Sequence, residues 1–145
     1  MRKSFTLVEI MIVVAIIALL AAVAIPGLIR SRTTANEANA IRAVKSIATS
    51  CEVFRASQSA PTYPTNLDSL TNATPPYVAS LGTGDPVVKA GYNYTLSGST
   101  DTFFIIANPT ISGSTGYRSF CVNETGDLYS QNSPMSAGCS GSILQ

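Results

Sequence analysis

Histidine is absent from this 145-residue chain, and only 12% of its residues are charged. Without imidazole, histidine-dependent catalytic triads and histidine-containing metal sites are excluded. The three cysteines, Cys51, Cys121 and Cys139, form no C-x-x-C pair. A net charge of +1 gives no bulk attraction for nucleic acid. The most informative scarcity is local: from Phe5 to Ile29 there is one charged residue, Glu9, in a run that is otherwise almost wholly apolar.

An isolated carboxylate at membrane depth costs roughly 2.5 kcal/mol or more, so it is normally kept where a partner satisfies it. Within this chain the cations lie beyond the ends of the run, Arg2 and Lys3 before it and Arg30 and Arg32 after it. A second molecule docked side by side could bring a positive group to the right height. The run therefore reads as a membrane anchor that becomes a polymer core. Three simpler readings compete. A secretory signal with Ala22-Val23-Ala24 as its cleavage site is disfavoured by the acid and by a run longer than the usual ~7–15 residues. An uncleaved span is permitted by length, since ~20 apolar residues cross a bilayer, but leaves Glu9 unexplained. A helix buried in a soluble core is disfavoured because no polar face is present.

The stretch Lys3-Ser4-Phe5-Thr6-Leu7-Val8-Glu9, followed by Ile10-Met11-Ile12-Val13-Val14-Ala15-Ile16-Ile17, resembles the start of type IV pilins and type II secretion pseudopilins, specifically through Pro26. The resemblance implies that a prepilin peptidase cuts between Ser4 and Phe5, that the new Phe5 amine is N-methylated, and that Glu9 meets the Phe5 amine of a neighbouring subunit in a filament. The family usually has Gly before the cut; Ser4 is another small residue.

The implied organisation is a leader over residues 1–4, a transmembrane and polymerisation half-helix over 5–29, and a head over 30–145. The helix is expected from about Phe5 to about Ser57, with a bend or unwound stretch at Pro26 and Gly27, where an N–H is missing and a flexible residue follows. Such a helix is roughly 80 Å long at ~1.5 Å per residue, so its first half should project from the head. In its second half Ile41, Val44, Ile47, Ala48, Cys51 and Phe54 recur at three- and four-residue spacing, a stripe that needs a sheet to cover. Thr65-Asn66-Leu67-Asp68 looks like a capping box opening one helical turn through Leu70. Residues 72–91, with Pro75-Pro76, Gly82, Gly84 and Asp85-Pro86, read as a loop.

Strand signals follow: Tyr92–Leu96, a turn at Ser97-Gly98-Ser99, Thr102–Ala107, then Tyr117–Val122 and a hairpin through Asn123-Glu124-Thr125-Gly126 into Asp127–Ser130. Short links between consecutive strands imply an antiparallel meander. The expected class is α+β, a long N-terminal helix whose second half packs on a small antiparallel sheet; the pilin-like lollipop is also what the resemblance implies.

An odd number of cysteines permits at most one bridge within a subunit. Cys121 with Cys139 would tie the Gly/Ser-rich tail to the third strand, as many type IV pilins close a C-terminal loop; Cys51 with Cys121 stays open as the alternative. Asn123, Glu124 and Asp127 could bind calcium through oxygen ligands, as some pseudopilins do, but match no EF-hand spacing, and a solvated hairpin tip is the simpler reading. No other cofactor or metal is expected. Asn72-Ala73-Thr74, Asn93-Tyr94-Thr95 and Asn123-Glu124-Thr125 fit a glycosylation pattern that is common by chance. Basic residues Arg30, Arg32, Arg42, Lys45 and Arg55 on the helix, and acidic Asp68, Asp85, Asp101, Glu124 and Asp127 on the head, suggest bands that meet between stacked subunits, or simply solvated faces.

The expected function is structural, not enzymatic: a subunit of a type IV pilus-like filament. Its partners would be identical subunits, the prepilin peptidase, an inner-membrane assembly platform and membrane lipid before assembly. Arg2-Lys3 would face the cytoplasm with the head outside, and the filament would be extracellular or periplasmic. The alternatives are a major pseudopilin of a type II secretion system and a single-span anchored binding domain that never polymerises.

Overall fold

The computed structural model describes residues 5–79, 81, 82 and 84–144. One helix, α1 (Leu7–Ser57), is followed by a short helix, α2 (Asp68–Thr71), and six strands: β1 (Val87–Lys89), β2 (Tyr92–Gly98), β3 (Phe103–Pro109), β4 (Ser119–Asn123), β5 (Leu128–Gln131) and β6 (Ser142–Leu144). The chain divides into two compact units, one ending at Arg32 and one beginning at Thr33.

In the first unit the helix passes through Pro26 and Gly27 without interruption, so the unwinding expected there is absent. Proline removes one N–H from the ladder, and the flanking residues, Leu and Ile with Ala, are strong enough apolar helix formers to carry the helix across that gap.

The second unit holds the rest of α1 and an antiparallel sheet in sequential order, β1-β2-β3-β4-β5-β6. The helix buries Ala40, Val44, Ile47 and Cys51 completely, at spacings of four, three and four that keep them on one face. Ile41, Ala48 and Phe54, expected in the stripe, flank it half-buried, and Ala40 takes its centre. The small Ala40 lets the sheet approach, and Tyr92, Tyr94, Leu96, Phe103, Ile105, Phe120 and Val122 complete the core. At about 25 cal/mol per Å² of apolar surface removed from water, this contact is the main force holding the unit together.

The sheet's other face is also covered over β3 and β4. Ile106 and Cys121 pack with Met135, beside Phe104, Tyr129 and Cys139. The segment carrying Met135 is clamped twice: Asn108 Nδ2 donates to the Met135 carbonyl at 2.8 Å, and the Met135 N–H donates back to Asn108 Oδ1 at 3.0 Å. The Cys121–Cys139 disulfide, with Cα atoms 5.2 Å apart, fixes the far end. Cys51 is free and buried, which excludes its pairing with Cys121.

Three boundaries differ from expectation. β2 runs on through Ser97 and Gly98, which pair with Phe104 and Phe103, and the turn is Ser99 to Thr102, closed by the Ser99 N–H donating to the Thr102 carbonyl at 2.8 Å. Glycine is required at 98 because a Cβ there would run into the Pro64 carbonyl. Tyr117 and Arg118 are outside β4, because their N–H groups donate to the Glu37 carboxylate instead of a ladder partner. The third is the loop before Tyr92, whose last part forms β1 and turns through Ala90 (φ +50°) and Gly91 (φ +76°) into β2. Positive φ at both positions is what a two-residue type I′ hairpin demands.

The short helix α2 is capped by Asn66, not Thr65: Asn66 Oδ1 accepts from the Ser69 N–H at 3.0 Å and from Ser69 Oγ at 2.8 Å. Asp68, expected to close a capping box, accepts instead from the Gly84 N–H at 2.9 Å and so fastens the following loop.

Candidate functional site

The described part of the first unit is a single helix with an apolar surface. Its large apolar side chains from Phe5 to Ile29 are 47% to 80% exposed, on all sides of the axis. From Ile10 to Ile29 the rise is about 30 Å at ~1.5 Å per residue, close to the hydrocarbon thickness of a bilayer. This helix is long and apolar enough to cross a membrane.

At its start lies a constellation that only part of the sequence reading anticipated. Thr6 and Glu9 form a capping box. The Thr6 N–H and Oγ1 donate to Glu9 Oε2 at 3.0 and 2.8 Å, and the Glu9 N–H donates to Thr6 Oγ1 at 3.3 Å. Glu9 therefore has a partner in its own chain, contrary to expectation, although that partner is neutral and, among the described residues, no cation accompanies it. The signal was available, since T-x-x-E is the capping-box pattern that sequence reasoning applied to residues 65–68. The carboxylate sits three residues into the helix, where orphan N–H groups and the positive end of the helix dipole favour an anion. Phe5 lies just before this cap, fully in the open. Ser4, the other half of the expected cleavage site, lies outside the described residues.

In the second unit the basic and acidic bands meet internally at Arg55 and Asp101, and the minority charges Glu37 and Arg118 pair with each other. Arg118 Nε and Nη2 donate to Glu37 Oε2 at 2.9 and 2.8 Å, while the N–H groups of Tyr117 and Arg118 donate to Oε1 at 3.0 and 3.3 Å. Burial alone would raise the Glu37 pKa, but the Tyr117 N–H and the Arg118 guanidinium outweigh it and hold the carboxyl below its ordinary range. Next to this pair the Tyr92 hydroxyl donates to the Arg118 carbonyl at 2.8 Å, and Asn36 Nδ2 donates to the Thr115 carbonyl at 2.9 Å. Together these contacts pin the loop before β4 to the helix. Arg55 stacks over Tyr63 with its carbon 4.6 Å from the ring centre, donates to the Tyr63 hydroxyl at 2.9 Å, and lies 3.8 Å from Asp101.

Among the described residues of the head, no chemistry-bearing cluster emerges. Burial pushes the Cys51 thiol up to about 12, with the Glu52 charge adding to the effect, so it carries no thiolate at neutral pH. At the hairpin tip proposed for calcium, Thr125 Oγ1 donates to Asn123 Oδ1 at 2.7 Å and lies 2.8 Å from Asp127 Oδ2. Among the described residues, no group of three or more His, Cys, Asp or Glu is placed to hold a metal ion.

Residues 1–25 match the family described as the prokaryotic N-terminal methylation motif, the signature of type IV prepilins and pseudopilins. The match includes the cap and the apolar start of α1, and does not extend into the second unit. It supports a type IV pilin-like or pseudopilin subunit, a class whose role is structural and whose members begin as membrane-anchored precursors. No curated protein and no solved structure matches the chain.

Proposed function

We propose that this chain is a structural subunit of a type IV pilus-like filament, anchored in the inner membrane by residues 5–29 and polymerising through the same surface. The carrying observation is the unpartnered apolar helix that begins with a methylation motif and holds one acid, Glu9, at its start. Prepilin peptidase removes residues 1–4, the Phe5 amine is methylated, and an inner-membrane assembly platform adds the subunit to the filament base. The Arg2-Lys3 end stays cytoplasmic during insertion and the head lies outside. The work is mechanical and requires neither catalysis nor a cofactor.

In lipid the helix is solvated by acyl chains; outside lipid, only other copies of the same helix can keep its side chains from water. Burial against neighbours, at roughly 25 cal/mol per Å², replaces what leaving the bilayer would lose. Heterologous contacts whose rotation does not close produce a helical polymer. Glu9 selects the register: held at the helix start by Thr6, it presents a net negative charge that the Phe5 amine of an adjoining copy neutralises. The Cys121–Cys139 bridge supports a pilin over a secretion pseudopilin, because many type IV pilins close a C-terminal loop in this way.

Intact-mass measurement of the native subunit tests the processing step. The expected species lacks Met1 through Ser4 and carries one additional methyl group on Phe5. A subunit retaining Met1 would instead make the chain a fixed single-span anchor.

A further inference from the structure

The loop between β3 and β4 leaves two large apolar side chains in the open, Ile111 at 60% and Tyr117 at 55% exposure. Exposed residues of this kind, taken singly, need no explanation. This loop, however, has satisfied much of its own backbone. The Ile111 N–H donates to Thr115 Oγ1 at 3.1 Å, the Ser114 and Thr115 N–H groups donate to the Ile111 carbonyl at 3.1 and 3.0 Å, and the Gly113 N–H donates to the Gly116 carbonyl at 2.9 Å. At its two ends the Thr110 N–H donates to the Gly91 carbonyl and the Tyr117 N–H to Glu37. No charged residue occurs from Thr110 to Tyr117, and the Arg118 guanidinium is met by Glu37. A loop with these donors already engaged and no charge of its own can leave water at little cost.

The place at which the loop is fastened supplies the ligand. Asn36 and Glu37 hold it, through the Thr115 carbonyl and the Tyr117 and Arg118 N–H groups, ahead of Ala40 and the buried stripe of α1. Seven positions separate Asn36 from Ile29, so at most about 25 Å of chain joins this anchorage to the end of the apolar run, and about 10 Å where that chain is helical. We infer that the β3–β4 loop is a lipid-contact site, which sets Ile111 and the Tyr117 ring into the boundary between headgroups and acyl chains of the bilayer that residues 5–29 enter. Tyrosine suits that depth because its ring is apolar and its hydroxyl is wet, and the hydroxyls of Ser112 and Ser114 stay among the headgroups. The inference rests on the membrane anchoring in the proposed function and adds a second contact, made by the head of the precursor.

The chain contains no tryptophan, so a single introduced indole reports its own surroundings. The full chain carrying Tyr117→Trp, at an exposed side chain, is reconstituted in vesicles of phosphatidylethanolamine and phosphatidylglycerol, with and without phospholipid brominated near the top of its acyl chains. The expected result is a blue-shifted emission that the brominated lipid quenches, whereas Val53→Trp, at an exposed position further along α1, keeps its emission. Adding Ile111→Asp to the Tyr117→Trp chain is expected to return the emission toward the red and to remove most of the quenching. Leu19→Trp, within the apolar run, reads the anchor separately. Quenching at position 19 with none at 117 would overturn the loop contact and leave the anchor standing; quenching at neither would overturn both. Equal quenching at 53 and 117, or quenching at 117 that Ile111→Asp leaves unchanged, would also overturn the assignment. A blue shift at 117 without quenching would assign the loop to a second copy of the chain and remove lipid as its partner.

Discussion

Glu37 and Arg118 are separated by 81 positions and make the most completely satisfied ion pair among the described residues, with two side-chain and two backbone donors on one carboxylate. Glu37→Gln should therefore destabilise the head by about 1–3 kcal/mol, because Arg118 and two N–H groups lose a charged acceptor while remaining partly buried. The pH dependence follows from the depressed carboxyl pKa. Its stabilising contribution is complete above the ordinary value of 4.5 and fades as acidity protonates the folded-state group below it. Acid titration of the unfolding temperature should show this fall in the parent chain and a flatter response in the Gln variant. Thr6→Val removes both side-chain links of the N-terminal capping box and should cost about 1 kcal/mol of helix-start stability, seen as faster amide exchange at residues 7–10. Thr6→Ser should restore it. Of these two constellations, the cap could be found by eye in the sequence, because it is a local four-residue pattern. The ion pair could not, since nothing within a helical turn of Glu37 announces a partner on a distant loop.

At the level of elements, β2 to β5 were legible from β-branched and aromatic runs bounded by Gly, Ser and Asn, and the helix stripe from its three- and four-residue spacing. The edge strands β1 and β6 were not. Each is only three residues long, too short for alternation to register, and each exists because a neighbouring strand already offers a ladder. The β1–β2 turn was also hidden, because Ala90 occupies a left-handed position that usually advertises itself as Asn or Asp. The tail from Gln131 onward reads as Gly/Ser-rich and structureless, yet a disulfide, an asparagine clamp and Met135 fasten it over the sheet. Replacing both Cys121 and Cys139 by Ser should lower stability by about 3 kcal/mol and release β6 first, which amide exchange at 142–144 would report. Gly116→Ala should have a comparable effect by another route. Its Cβ would collide with the Tyr92 hydroxyl and break that group's bond to the Arg118 carbonyl, costing about 1–3 kcal/mol in thermal unfolding.

For the whole molecule, the division of labour was readable from composition: an apolar, charge-poor start and a polar, turn-rich remainder with its own core. What the chain alone conveys less well is why the start is tolerated. Every large apolar side chain from Phe5 to Ile29 is exposed, a surface that lipid or, on the proposed function, copies of the same helix would cover. On the proposed function Glu9 would turn that generic adhesiveness into a specific register, because a misplaced neighbour would bury a carboxylate that among the described residues meets only Thr6. The acid should thus be dispensable for membrane residence and essential for polymer growth. Electron microscopy of material sheared from cells, with Glu9→Ala compared against the parent at equal membrane levels, tests this most directly. The account predicts fibres containing a subunit that begins at Phe5 in the parent and few or none in the variant; fibres in normal number from Glu9→Ala would contradict it.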